Sequence, residues 1–323
     1  MGRTFRLAPG PGFYQGQSRR GYQPAGLTRL GEPVRWPWCD AEECTGRHCG
    51  ANEILRCTLY AQDGVWRKSE GRAPATRMGN VAGFRRSWID AAEYARKWES
   101  YERKRAKGEA AEAPKRDLAM ETLAGVLKGE ILVQNHCYRA DEMAVMLDVG
   151  HEFGYKTTAF HHAVEGYKIA DLLASEGTCV ATWATRWGFK MEAFDAIEEN
   201  AAILASRGVC VAIHSDEQRL IQRLNVETSV ALAAGRRAGI NIPQEEAIKW
   251  ITLNPARIMG VADRTGSLEP GKMADVVLWS RNPFSVYAVA EKVFIDGALI
   301  HDTSNPGSIY RSDFELGQTV GEE

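Results

Sequence analysis

The 323-residue sequence lacks the features that mark membrane, secreted and nucleic-acid-binding proteins. It has no run of about 18 apolar residues, and its N-terminus has no apolar signal core. We therefore expect a cytoplasmic protein with no membrane partner. The formal net charge is −2, so no overall field attracts the chain to nucleic acid. Hydrophobic residues make up 44% of the chain, enough to bury a sizeable core.

Cysteine is present in an odd number, seven, and no C-x2-C pair occurs. Four cysteines cluster early, and three stand singly in or near apolar strands: Cys39, Cys44, Cys49, Cys57, Cys137, Cys179 and Cys210. The odd number and the missing secretion signal argue against a disulfide framework. The early group, with His48, could form a zinc module, but its spacings do not match known zinc motifs, so this is only an alternative.

Lysine is absent before Lys68, whereas residues 1–67 contain nine arginines and ten glycines. No periodic apolar segment longer than a few residues occurs there. We predict that residues 1–69 form an irregular or disordered segment. Its basic start could contact nucleic acid, although a solvated arm is the more frequent outcome for such a composition.

Strands and helices alternate regularly after about residue 70. The predicted strands and the helices that follow them are 131–135 and 141–152, 156–160 and 164–175, 178–183 and 190–206, 209–213 and 223–238. Four such units with short loops predict an α/β fold with parallel strands and right-handed crossovers. Before them we predict a Gly-containing loop at 77–86, a helix at 87–107, and a second helix capped by Asp117.

Histidines and a carboxylate stand where these strands end. His136 ends the first strand, His161 and His162 end the second, and Asp216 follows the fourth, with His214 beside it. Barrels of alternating strands and helices place their chemistry at this edge, and such side chains suit a divalent metal that activates water. Simpler readings are hydrogen-bonded histidines and a helix N-cap at Asp216. Because neighbouring strand residues point to opposite faces, only one of His161 and His162 can readily face the barrel axis.

Five strings of the sequence share one resemblance. They are NHCYRADEM at 135–143, HHAVEGYKIADLLA at 161–174, GVCVAIHSDE at 208–217, ITLNPARIMGVADRTGSLEPGKMADVVLWSRNPFSVY at 251–287 and VFIDGALI at 293–300. Together they resemble the amidohydrolase superfamily, in particular its imidazolonepropionase-like members. The resemblance implies a composite of a partial (β/α)8 TIM-type barrel, about strands 4 to 8, over 70–262, and a β-sandwich remnant over 263–303. A hairpin at 291–302 would turn at Asp296-Gly297, and residues 304–323 would form a loose tail.

The resemblance also implies a chemistry and a set of site residues. The family binds one or two divalent metals, commonly Zn²⁺, and hydrolyses non-peptide, often cyclic, C–N amide bonds of small molecules. Carried over by motif, the metal ligands are His136, His162 (alternatively His161) and Asp216, and Asp216 is also the catalytic proton carrier. Residues expected to contact the substrate are Arg139, Trp183 and His214.

The chain departs from the family pattern in its N-terminal part. No HxH motif occurs, and the first three barrel strands and the N-terminal half of the sandwich are missing or scrambled. A truncated and catalytically inactive barrel fragment is therefore an alternative. An N-terminal zinc or nucleic-acid module fused to a degenerate barrel is another. Open sheet edges would be exposed or would need a partner chain, so a homo-oligomer also stays open.

A change of reading frame would explain this departure. Under free codon choice, RCTLYA at 56–61 and QDGVWRK at 62–68 can be encoded by DNA whose neighbouring frame reads GAPYTL and KMACGEN. GAPYTLKMACGEN resembles a family segment, the one in which the fourth-strand lysine would lie. We therefore hypothesise that roughly the first 68 residues are translated out of frame, which the nucleotide sequence tests.

Overall fold

A computed structural model of the chain describes the backbone of residues 54–58 and the whole of residues 76–217 and 220–305. These residues all lie in one unit of the chain, residues 38–323. Apart from the backbone of Cys57, the zinc-module and arm predictions concern residues outside the described ranges, as does most of the segment proposed to be out of frame. The tail from residue 306 also lies outside them.

Five strands form a parallel sheet in the order β1-β2-β3-β4-β5. Their bounds are β1 Ile54–Thr58, β2 Leu132–Cys137, β3 Thr157–His162, β4 Cys179–Thr182 and β5 Val211–Ile213. The α/β class with a parallel sheet is confirmed, and the sheet is consistent with part of a TIM-type barrel. Strand β1 differs from the irregular structure predicted before residue 70, because its backbone pairs in register with β2.

Eight α-helices are described. Their bounds are α1 Arg77–Ala106, α2 Leu118–Leu127, α3 Ala140–Phe153, α4 Ala170–Glu176, α5 Asn200–Ser206, α6 Leu224–Arg237, α7 Gln244–Ala247 and α8 Leu253–Ile258. The loop predicted at 77–86 is wrong. Helix α1 begins there because Thr76 caps it, its Oγ1 accepting a hydrogen bond from Gly79 N at 3.0 Å. The predicted cap at Asp117 is confirmed, since its side chain accepts from two backbone amides of α2. None of the described helices is long and apolar enough to cross a bilayer.

One face of the sheet carries small side chains and is covered by helix α8. Ile258 packs in a buried cluster with Ala159, Ala181 and Ala212, from three successive strands. Gln134 of β2 donates a hydrogen bond from Nε2 to the Ile258 carbonyl at 2.7 Å. In a complete TIM-type barrel this face would line the interior. The five described strands are too few to close an eight-stranded barrel.

Strands β4 and β5 are also linked covalently. Their register places Val180 opposite Val211, so the preceding residues, Cys179 and Cys210, are neighbours with Cα atoms 4.5 Å apart and form a disulfide. This pair was not expected from the odd number of cysteines and the missing secretion signal. Their partnership depends on the pairing of two strands that are separated in sequence, which spacing alone does not reveal.

The C-terminal region forms a three-stranded antiparallel sheet of β6 Val276–Trp279, β7 Ala290–Ile295 and β8 Ala298–Asp302. The predicted hairpin and its turn are confirmed: Asp296 and Gly297 both have positive φ, as a tight two-residue hairpin requires. The described strands form a single layer here, so the prediction of a β-sandwich remnant is not confirmed.

Candidate active site

Four histidines meet at the C-terminal edge of the parallel sheet. His136 is the second-to-last residue of β2, His161 and His162 are the last two residues of β3, and His214 directly follows β5. The register aligns His136 with His161, and the His214 amide donates to the Thr182 carbonyl of β4. Because parallel strands end at a common edge, residues far apart in sequence come into contact here.

A close contact in this cluster joins His136 and His162. Nδ1 of His136 lies 2.9 Å from Nε2 of His162. His136 also stacks on His161, with ring centroids 5.0 Å apart and planes 10° from parallel. His161 Nε2 in turn lies 2.9 Å from Gln134 Oε1.

The backbone at His162 brings its ring into the cluster. His162 has φ +73°, Ala163 φ +32° and Asp216 φ +50°, all in the left-handed region that non-glycine residues seldom adopt. Such a conformation costs of order 1–3 kcal/mol and is typically found where function requires it. The turn at His162 explains why both adjacent histidines join the cluster, although an extended strand would direct only one of them to this face.

Aromatic rings enclose His162. The Tyr138 and Trp183 rings each lie with centroids 4.7 Å from that of His162, and Trp183 lies at the same distance from His214. Trp183 Nε1 donates to the Ser215 carbonyl at 3.2 Å, which fixes the indole between the ends of β4 and β5. Only 1% of His162 is exposed.

Burial keeps two of the imidazoles neutral. Loss of solvent, with the neighbouring His214 next in importance, lowers the pKa of His162 far below its usual range. Burial, followed by the influence of His161, lowers the pKa of His214 to about 3. Neutral imidazole is the form that binds metal ions, so no proton has to be removed before these rings can act as ligands.

The donor chemistry fits a divalent cation, although the described residues do not complete its coordination. His136 Nδ1 and His162 Nε2 lie 2.9 Å apart, within hydrogen-bond distance of each other, whereas Asp216 Oδ2 lies 4.0 Å from the other nitrogen of His162, Nδ1. Across the described residues, no group of three or more His, Cys, Asp and Glu side chains has metal-binding spacing. The geometry therefore offers a pair of imidazole ligands, with a half-exposed carboxylate on the far side of one ring.

The remaining predicted site residues lie at different distances from this pair. Trp183 and His214 belong to the cluster, whereas Arg139 is engaged by Asp141 through two contacts of 2.9 and 3.1 Å. Sequence reasoning did not single out Tyr138. Tyr138 could have been identified from its position two residues after His136, because side chains two apart on an extended strand lie on the same face.

Comparisons with known proteins agree with this architecture. The model of the Amidohydrolase family matches residues 91–300. Amidohydrolase tasK of Hapsidospora irregularis is 27% identical over 283 residues, covering 81% of this chain and 28% of that protein. Imidazolonepropionase of Picrophilus torridus is 32% identical over 112 residues, 33% of this chain and 28% of the relative.

A solved structure gives the same assignment. The amidohydrolase from Thermotoga maritima MSB8 superimposes with a TM-score of 0.69 at 30% identity, over 81% of this chain and 65% of the other. The chain thus spans less than two thirds of each of these relatives. With a family model that matches well over half of its residues, the chain belongs to the amidohydrolase family.

Proposed function

We propose that this chain is a metal-dependent hydrolase of a non-peptide, often cyclic, C–N amide bond. The observation that carries the proposal is the 2.9 Å approach of His136 Nδ1 to His162 Nε2 at the C-terminal edge of the sheet. Two imidazoles that converge at such an edge form the core of a hydrolytic metal site.

In this proposal His136 and His162 hold a divalent cation, with Zn²⁺ the first candidate. When bound, the cation supplies Lewis acidity that activates water and polarises the amide carbonyl. Tyr138 and Trp183 keep solvent from the His162 ring and fix its orientation.

Asp216 is the proposed proton carrier. Its carboxylate is half-exposed and lies 4.0 Å from His162 Nδ1, so it can reach a substrate above the strand ends. It takes a proton from the attacking water and delivers it to the departing nitrogen. The water oxygen bonds to the carbonyl carbon, the C–N bond breaks, and a carboxylic acid and an amine result. That Asp216 also binds the metal stays a prediction.

A specific observation supports the competing reading, an inactive barrel fragment. The described parallel sheet ends at β1 on one side and β5 on the other, and tasK is covered over only 28% of its length. Hydrolysis by such a fragment would require barrel strands beyond the five described, for example from a partner chain.

Turnover of defined amides separates the two readings. The full-length chain, loaded with Zn²⁺, would be assayed for amine release from a cyclic amide, an N-acyl amino acid and a dipeptide. We expect turnover of at least one amide, loss of turnover with retained metal in Asp216→Asn, and loss of both in His136→Ala. Absence of turnover on every amide would favour the fragment.

A further inference from the structure

The loop after β4, residues 183–194, is fixed by hydrogen bonds and is here called the β4 loop. Glu227 of α6 accepts from Ala184 N at 3.2 Å and from Thr185 Oγ1 at 2.6 Å. Gly188 N donates to the Ala193 carbonyl at 3.0 Å, which closes the tip. Hydrogen bonds therefore hold the loop both where it begins and at its tip.

The β4 loop nevertheless exposes four large apolar side chains. They are Trp187 at 65%, Phe189 at 53%, Met191 at 80% and Phe194 at 58%. A concentration of this kind typically marks a binding surface. It adjoins the histidine cluster, because the Phe189 ring lies 5.9 Å from Trp183 and 6.3 Å from Tyr138, centroid to centroid.

A half-buried cation lies between this apolar surface and the histidines. Lys190 Nζ is 3.7 Å from the centroid of Tyr138 and 5.5 Å from that of Phe189. The same Tyr138 ring lies 4.7 Å from His162.

We propose that the β4 loop selects amide substrates that carry a carboxylate on an apolar or aromatic body. The carboxylate binds Lys190, and the body lies against Phe189 and Trp187. The inference rests on the proposed function and names the substrate class for that site. It places the anionic end of the substrate over Tyr138, one ring away from the imidazole pair.

The electrostatic setting of Lys190 supports this assignment. Burial lowers the pKa of the Lys190 ammonium, and Glu192 and Asp216 only partly oppose that effect. A bound carboxylate would offset the cost of burying the charge. In these apolar surroundings a charge-assisted hydrogen bond is stronger than it would be in water.

Binding to metal-free protein tests this inference separately from hydrolysis. The full-length chain, dialysed against EDTA, would be titrated calorimetrically with 3-phenylpropanoate and with the neutral 3-phenylpropanamide. A charge-assisted contact of about 1.4 kcal/mol predicts roughly tenfold tighter binding of the carboxylate. Phe189→Ala should weaken both probes and leave their ratio unchanged.

Substitutions at Lys190 provide the decisive comparison. Lys190→Met should abolish the carboxylate preference, and Lys190→Arg should restore most of it. Lys249 lies outside the β4 loop and is paired with Glu246, so Lys249→Met should preserve the preference for the carboxylate. Equal affinity of the wild type for the two probes, no binding of either, or a preference that survives in Lys190→Met would each overturn the assignment. Because no metal is present, none of these results bears on the metal site.

Discussion

Trp183 lies over His162, with ring centroids 4.7 Å apart and planes 17° from parallel. The indole and the imidazole come from the ends of adjacent strands, so this contact joins the hydrophobic core to the candidate site. Trp183 belongs to a buried cluster with Tyr138, Val164, Ala193 and Ala196. The orientation of His162, a proposed metal ligand, therefore depends on the packing of the hydrophobic core.

Trp183→Leu should destabilise the chain by about 2–4 kcal/mol, because it leaves a cavity and removes the donor to the Ser215 carbonyl. Urea unfolding measures the change. Trp187→Leu, in the same loop but largely exposed, should change stability by less than about 0.5 kcal/mol. Equal effects of the two substitutions would show that Trp183 is not packed as described.

Gln134→Leu should cost about 1–3 kcal/mol, because the buried Ile258 carbonyl loses its side-chain donor. The same substitution removes the Gln134 contact of His161. Gln244→Leu is the matched control, since Gln244 makes an exposed contact with Asn282 and should be nearly neutral. A neutral Gln134→Leu, measured by thermal and urea unfolding, would argue against helix α8 lying on this face of the sheet.

The buried carboxyl of Glu142 should make the free energy of unfolding depend on pH. Burial raises the pKa of this carboxyl above 4.5, against the opposing influence of Arg77, which lies 2.6 Å away. The folded state therefore holds the proton more tightly than the unfolded state. The resulting stability is fully present below pH 4.5 and is lost as pH rises through the higher folded-state pKa.

Glu142→Gln removes this contribution and keeps the size of the side chain. The free energy of unfolding of Glu142→Gln, relative to the wild type, should therefore rise as pH increases above 4.5. Urea unfolding at a series of pH values between 5 and 8 measures the difference. Parallel curves for the two proteins would contradict the raised pKa.

The features that the sequence predicted well depend on local periodicity. Apolar runs bounded by short loops located strands β2 to β5, and Asp117 and Asp296-Gly297 marked a cap and a turn by their own chemistry. The convergence of His136 and His162 followed from the rule that parallel strands end at one edge.

The features that it missed depend on relationships between distant residues or on the backbone. The Cys179–Cys210 bond follows from strand register, and the entry of His162 into the cluster follows from its left-handed backbone. Helix α1 begins ten residues earlier than predicted because a single side chain, Thr76, caps it there. None of these has a periodic signature in the sequence.

The central claim is that His136 and His162 together bind a divalent cation, and the metal content of the purified chain tests it most directly. After loading with Zn²⁺ and exhaustive dialysis, the wild type should retain about one Zn²⁺ per chain by elemental mass spectrometry. His136→Ala and His162→Ala should each lose it, whereas His151→Ala, at a histidine paired with Glu176 away from the site, should retain it. A wild type that retains no zinc, or a His136→Ala variant that retains as much as the wild type, would contradict the account.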